Sequence, residues 1–392
     1  MAKVRIHRTF TLGFILVSMN VCFMLILQRC VVGPSGRMER SERDVIKFES
    51  LPLDLNADDN RTIKENVKKE TVRSHKFSER TFRWTEFNHT AVTLFRQKIL
   101  DRTRVNTHLY CSKLNIPVHS NLSFFESKKV IKVMRGTHQH LPREVTFPET
   151  PYRTCTVVGN SGVLLNSRCA KEIESSDYIF RLNLPPVGGI FTRDVGQRAH
   201  FVTINPSILT ERFKYLTEED YQNAFIRSVL AYRTNTTFYT HPFHNPLYRK
   251  TTYRAMFLVR DRGNGSVVRW SHPDFLRKVN DFWKKTEKGI KAKRITSGLM
   301  VTTFALSMCE ETHLYGFWPY GTDLKKKNAV PYHYFKRHIT VQHKVINEQE
   351  EIFRRIVDKN LVHNMEQEFN LLVKMHEKRL LRLHVKPCKR TR

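Results

Sequence analysis

The sequence predicts an α/β fold: a mostly parallel sheet flanked by helices, in a single domain spanning residues 106–392. Three observations predict it. The short β-branched run Thr154–Val158 and the stretches Asp177–Arg181, Ala199–Ile204 and His313–Phe317 read as strands. Helix-length apolar stretches separate or follow them, notably Leu299–Cys309, which opens on Thr296-Ser297-Gly298 with a helix-capping signal. Strands alternating with helices pack as a parallel sheet covered on its faces.

Ahead of this domain the chain reads in three parts. Residues 1–9 form a short basic tail carrying Lys3, Arg5, His7 and Arg8. Residues 10–28 read as a transmembrane signal anchor, because Phe10–Leu27 is an uncharged stretch of eighteen residues. At roughly 1.5 Å per residue it nearly crosses a hydrocarbon core of about 30 Å. A cleaved leader fits less well: the run exceeds the usual apolar core of about 7–15 residues, and Gln28-Arg29-Cys30 lacks a small-x-small site. Residues 29–105 are polar and charge-mixed and read as a stem, with one helical stretch near Phe87–Ile99.

Charge alone does not orient the anchor, since Arg37, Arg40 and Arg43 lie beyond it. Five N-x-S/T sequons do: Asn60, Asn88, Asn121, Asn235 and Asn264 all follow the anchor. A lumenal C-terminal domain and a cytoplasmic N-terminus are therefore expected.

Lys and Arg number 67 against 37 Asp and Glu among 392 residues, a net charge of +30. Such a surplus implies an anionic partner. Nucleic acid is set aside, because a lumenal chain does not meet it and no zinc-finger, basic-heptad or RNA-binding aromatic signature occurs. Seven Cys are too sparse for a small disulfide scaffold.

Two segments carry the spacing for anion binding. Thr156 to Leu165 takes a buried strand into the turn Gly159-Asn160-Ser161-Gly162 and out as an apolar helix, a design that sets amides against a phosphate. Thr296-Ser297-Gly298 repeats it before the second apolar helix. Neither is a Walker loop, and Val163 breaks a G-x-S-x-G elbow. No Asp-x-Asp, Cys-x-x-Cys or His-Glu-x-x-His occurs, so no metal site is expected. Of eighteen histidines, His333 in Pro331-Tyr332-His333-Tyr334-Phe335 and His363 in His363-Asn364-Met365-Glu366-Gln367-Glu368 stand in distinctive contexts. The terminal stretch Glu366–Leu380 is an amphipathic helix with Phe369, Leu372, Val373, His376 and Leu380 on one face.

Taken in order, these segments resemble animal sialyltransferases. Cys155–Val187 resembles the large sialylmotif and Ile295–Tyr320 the small one, while Tyr332-His333-Tyr334 resembles motif III and His363–Glu368 the very small motif. Arg193-Asp194-Val195-Gly196, Thr203-Ile204-Asn205-Pro206-Ser207 and Tyr315-Gly316-Phe317-Trp318-Pro319 point to the α-2,8 branch. The resemblance implies a Rossmann-like variant of the GT-A-like fold in a Golgi membrane protein of type II. It also implies a donor, CMP-sialic acid, whose single phosphate needs no metal or other cofactor, and an acceptor that is a sialylated glycolipid or glycoprotein.

Residue by residue, Asn160 and Asn183 would bind the donor, Thr296, Ser297 and Gly298 would hold it, and Trp318, Tyr332 and His333 would line its nucleotide and phosphate. His363 would be the general base that deprotonates the acceptor's 8-hydroxyl, and His333 would assist departure of CMP. Glu368 reads as an orienting or helix-capping residue without proton transfer. The resemblance pairs Cys155 with Cys309 and Cys169 with Cys388, leaving Cys111 odd; sequence alone does not choose among connectivities.

Some residues depart from the family pattern. Thr296-Ser297 reverses the usual Ser-Thr, Ala170 replaces a glycine, Phe335-Lys336 replaces Tyr-Asp, and residues 336–362 form an insertion. The insertion contains His343 and Glu348 at the offset of His363 and Glu368, but Met365, Phe369 and the following helix select His363. Lys284, Lys285, Lys288, Lys291, Lys293 and Arg294 form a basic tract such as polysialylating relatives carry. Arg181–Pro186 and Ala292-Lys293-Arg294 look nearer to members adding one or a few residues, so mono- or oligosialylation is expected, polysialylation or a catalytically weak sialoglycan-binding relative being the alternatives. Oligomeric state, a homodimer included, is not specified by the sequence.

Overall fold

The computed structural model describes residues 77–388 apart from 233–234, 287–288, 326–327 and 336–361. The basic tail, the anchor at 10–28, Asn60, most of the stem and the pair His343 and Glu348 lie outside the described residues. Among the described residues, no helix is long and apolar enough to cross a membrane.

A small antiparallel ribbon comes first, β1 (Asn121–Ser123) with β2 (Val130–Lys132). The main sheet follows with β3 (Tyr152–Val158), β4 (Tyr178–Arg181), β5 (Phe201–Ile204), β6 (Thr237–Thr240), β7 (Val267–Trp270), β8 (Cys309–Tyr315) and β9 (Arg382–His384). Its order is β7-β6-β5-β4-β3-β8-β9, and every pairing is parallel. All four residues of β5 and the last four of β3 are buried, as strands covered on both faces must be. The predicted α/β class is therefore observed, and the chain reverses its winding between β3 and β8. In open parallel sheets ligands bind beyond the carboxyl ends of such a pair.

The longer helices are α1 (His89–Thr103), α2 (Glu219–Leu230), α3 (Arg249–Arg262), α4 (Pro273–Lys284), α5 (Ser297–Met308) and α6 (Met365–Glu377). α5 starts where its capping signal predicts and buries every residue from Leu299 to Met308, with the Phe304 ring edge-on to Phe201 and Tyr239 of the sheet. Beside it, Trp283 of α4 is fully buried and donates its indole N–H to Thr303 of α5 at 2.8 Å.

Two expectations require correction. The stem does not extend to 105. Phe77, Phe87, Val92 and Ile99 belong to the main core, Asn88 caps α1 by accepting from Ala91, and Arg96 donates to the Cys309 carbonyl at 2.9 Å. The average composition of this stretch is polar because α1 buries only Val92, Ile99 and Thr103; a narrow stripe suffices to dock it. Second, no apolar helix leaves the turn after β3. Residues Gly162–Leu164 make a single 3₁₀ turn, and Asn166 and Arg168 then adopt left-handed backbone, with φ of 58° and 55°. The Asp194 carboxylate fixes that shape by accepting from the Asn166 and Arg168 amides at 2.8 and 2.9 Å.

Cys155 is bonded to Cys309 and Cys169 to Cys388, while Cys111 is free and buried. The first disulfide joins the two strands at the winding reversal. The second pins the segment after β9 to the loop at Ser167, whose carbonyl also accepts from the Cys388 amide.

Candidate active site

The turn after β3 meets the turn after β8 backbone to backbone. Gly159 donates to the Tyr315 carbonyl at 2.7 Å, Ser161 to the Gly316 carbonyl at 3.1 Å, and Gly162 to the Pro331 carbonyl at 2.9 Å. A Cβ at Gly159 would stand 2.3 Å from the Gly316 carbonyl oxygen, and one at Gly162 would stand 2.2 Å from that of Pro331. The glycines thus serve close approach. Because these amides already donate to protein carbonyls, they do not form the anion cradle that the sequence suggested. What the turn does present is Asn160. Its Nδ2 donates to the Leu182 carbonyl at 2.8 Å, whereas its Oδ1 is buried with no partner among the described residues.

The second helix start keeps its expected character. Thr296 caps α5 by accepting from the Leu299 amide at 3.2 Å, which leaves the Ser297 and Gly298 amides without intrahelical partners at the positive end of the helix. The Ser297 hydroxyl donates to Asn205 Oδ1 at 3.2 Å. The Asn205 amide in turn donates to Asn183 Oδ1 at 3.0 Å. Asn183, in left-handed backbone at φ 60°, therefore supports Asn205. At Gly298 a Cβ would crowd Phe317 at 3.2 Å.

Glu368 is buried and holds this start in place. Its carboxylate accepts from the Thr296 amide at 2.8 Å and from the Thr296 hydroxyl. Burial pushes its pKa up to about 7, against the opposing pull of the two Thr296 bonds. The orienting role expected for Glu368 is the one its contacts describe.

Beside Thr296 and Ser297 lies a cavity of about 240 Å³ whose wall includes Glu126, Asn205, His241, His244, Arg294 and His363. His363 Nδ1 stands 3.1 Å from the Arg294 carbonyl. A carbonyl only accepts, so Nδ1 carries the proton and Nε2 keeps its lone pair. Burial lowers the His363 pKa, and the nearby Arg294 charge adds to this, which favours the neutral ring. His241 and His244 are pushed down to about 3, in both cases chiefly by burial. Arg294 Nη1 lies 2.7 Å from Glu126 Oε1 and 2.8 Å from His244 Nε2. No sequence signal pointed to Glu126, in the β1–β2 turn, or to His241 and His244, in the turn after β6; Asn205 and Arg294 stood in noted segments without an assigned role.

The remaining candidates fall elsewhere. Tyr332 donates its hydroxyl to Met365 Sδ at 3.6 Å, and the Tyr334 amide donates to the Asn160 carbonyl at 2.9 Å, so motif III bridges the β3 turn and the start of α6. His333 stacks on Phe335 with centroids 4.9 Å apart and does not line the cavity that holds His363. Trp318 is buried among Phe77, Phe82, Tyr320 and Phe369, and its indole N–H is taken by the Thr322 carbonyl at 2.6 Å. It is a core residue and cannot line a nucleotide from there. Among the described residues no group of three or more His, Cys, Asp and Glu is arranged to hold a metal ion. Asn121, Asn235 and Asn264 are exposed, whereas Asn88 is half-buried as the α1 cap.

The family model for glycosyltransferase family 29 (sialyltransferase) matches residues 62–380. Alpha-2,8-sialyltransferase 8E of Rattus norvegicus is 31% identical over 297 residues, covering 76% of this chain and 73% of that one. An alpha-N-acetylneuraminide alpha-2,8-sialyltransferase of Xenopus tropicalis is 32% identical over 308 residues, covering 77% and 81%. A crystal structure of a mammalian sialyltransferase aligns with a TM-score of 0.38 at 21% identity, over 60% of this chain and 70% of that chain.

Proposed function

Because the chain belongs to glycosyltransferase family 29, the sialyltransferases, we propose that it transfers sialic acid from CMP-sialic acid to the 8-hydroxyl of a terminal sialic acid. The acceptor is a sialylated ganglioside or glycoprotein glycan, and transfer inverts the anomeric centre without a metal cofactor. The names of the relatives support the linkage. The observation that carries the mechanism is His363, with Nδ1 against the Arg294 carbonyl, on the cavity wall that also holds Thr296 and Ser297.

In this reading the phosphate of CMP lies against the Ser297 and Gly298 amides at the positive end of α5. The Asn160 Oδ1, buried and unpartnered, accepts from a donor hydroxyl or amino group. His363 Nε2 takes the proton of the 8-hydroxyl as that oxygen attacks the sialyl C2 from the face opposite CMP. The C2–O bond to the phosphate breaks and the electron pair leaves with CMP. The five sequons and the uncharged 10–28 segment support a single-pass type II protein of the Golgi membrane with this site in the lumen.

The test uses the full-length chain with CMP-sialic acid and three acceptors: a sialylated ganglioside, a sialylated O-glycan and a sialylated N-glycan. Transfer to at least one, with α-2,8 linkage in the product, is expected, and His363→Ala should lower it by about 10²- to 10⁴-fold. No transfer to any acceptor refutes the activity; undiminished transfer by the variant refutes the base. Juxtanuclear staining with endoglycosidase-sensitive mass is expected in cells.

A further inference from the structure

We propose that Glu126 is a positioning residue for the base His363, acting through the side chain of Arg294. The inference rests on the base assignment above and concerns a residue on the far side of the cavity, in the tip between β1 and β2.

Arg294 grips the base segment with its backbone. Its amide donates to the Val362 carbonyl at 3.1 Å, and its carbonyl accepts Nδ1–H of His363 at 3.1 Å. Two consecutive residues thus hang on both polar groups of one peptide position. The ring of His363 faces the cavity as long as that position does not rotate.

What stops the rotation is the guanidinium. Nη1 sits between Glu126 Oε1 at 2.7 Å and His244 Nε2 at 2.8 Å. Burial holds His244 neutral, so the acidic side chain beside Arg294 is that of Glu126. Glu126 itself is fixed by its backbone: its amide donates to the His244 carbonyl at 2.9 Å, and the Phe125 amide donates to the Phe243 carbonyl at 2.8 Å. Lys293 approaches the same carboxylate only to 3.7 Å, with its own side chain largely in solvent. The backbone that carries the carboxylate is therefore held independently of Arg294, and the carboxylate meets the guanidinium as an ion pair.

The next residues have separate moorings. The Ile295 amide donates to Asn280 at 3.1 Å, and Thr296 is held by Glu368. Loss of Glu126 should therefore disturb the base while leaving the helix start that receives the donor in place. A residue with a merely structural role would not separate these two effects.

The experiment compares full-length wild type, Glu126→Gln, Glu126→Asp, Arg294→Gln and the Glu126→Gln/Arg294→Gln double variant by kcat, donor KM and melting temperature. Glu126→Gln should lower kcat by about tenfold or more, since misplacing a catalytic group by about 1 Å costs up to 10²-fold, with donor KM within about twofold. Glu126→Asp should recover part of kcat, and the double variant should be no slower than Arg294→Gln, as coupled residues are not additive. An unchanged kcat in Glu126→Gln, a loss confined to donor KM, or losses that multiply in the double variant would each overturn the proposal. If Glu126→Gln fails to fold, Arg294→Lys carries the test: it retains the backbone grip but cannot span both partners, so an unchanged kcat there overturns the proposal equally. His363→Ala is run in parallel. If that variant transfers normally, the base assignment has failed rather than the Glu126 relationship.

Discussion

The Glu368 carboxylate accepts both the amide proton and the hydroxyl proton of Thr296, so one buried acid joins the first turn of α6 to the start of α5. This tie between α6 and the start of α5 is separate from the Arg294 carbonyl contact that holds the His363 ring. Its stability should depend on pH. Burial raises the Glu368 pKa from 4.5 to about 7, so between those values the folded chain keeps a proton that the unfolded chain has released. The contribution of this group to stability is full below that window and falls as pH rises through it. Urea unfolding midpoints of wild type and Glu368→Gln, measured from pH 4.5 to 7.5, should diverge with this sign. Parallel curves would show that Glu368 ionises as an ordinary surface acid.

Trp318 provides a second test, because its place in the core contradicts a donor-lining role. Only 3% of its surface is exposed, and Phe77, Phe82, Tyr320 and Phe369 surround it. Trp318→Phe should lower stability by about 1–3 kcal/mol, from lost packing and a lost buried hydrogen bond. Donor KM should stay within about twofold. A donor KM that rises tenfold in a variant with normal melting temperature would return the indole to the site.

Strands and the capped start of α5 were legible because β-branched runs and a Thr-Ser-Gly opening are local signals that the core enforces. The same is true of the order of the motifs. β6, β7 and β9 were not read from the sequence: Arg382–His384 is only three residues long, too brief for an alternation to register, whereas β6 and β7 are as long as β4 and β5, so length does not account for them. Trp318 was misplaced because a motif position says nothing of which way a ring points. Glu126 and His244 were invisible because their relation to Arg294 is made by the fold, across sequence separations that no spacing rule reaches. Asp194 explains why the turn after β3 does not become a helix, and its two amide contacts likewise exist only in three dimensions.

The Cys169–Cys388 bond closes a loop with a sequence separation of 219 and secures the chain just beyond β9. Cys388→Ser should cost about 2–5 kcal/mol, mainly because the unfolded chain gains freedom. Since β9 pairs only with β8 at the sheet edge, the expected consequence is early loss of protection at Arg382–His384. Hydrogen exchange should show those amides opening before the β3 and β8 amides do. Simultaneous opening of all three strands would mean that the edge is held by packing alone.

Asn160 offers the most direct reading of the donor side. Its Nδ2 has a structural task, donating to the Leu182 carbonyl, while its Oδ1 is buried and has no partner among the described residues. An unpaired buried acceptor costs about 1–3 kcal/mol, a deficit that a bound donor group would remove. The two halves of the amide can be separated by substitution. Asn160→Ala removes both, and Asn160→Asp keeps the outline while turning the Leu182 contact from attractive to repulsive and adding negative charge near the proposed phosphate position. If Oδ1 meets the donor, Asn160→Ala should raise donor KM by about tenfold, because a site that hydrogen-bonds its substrate discriminates strongly when the partner is lost; Asn160→Asp keeps that acceptor, and any rise there comes from its added charge beside the donor phosphate. If Asn160 only braces Leu182, the melting temperatures should fall and donor KM should not move.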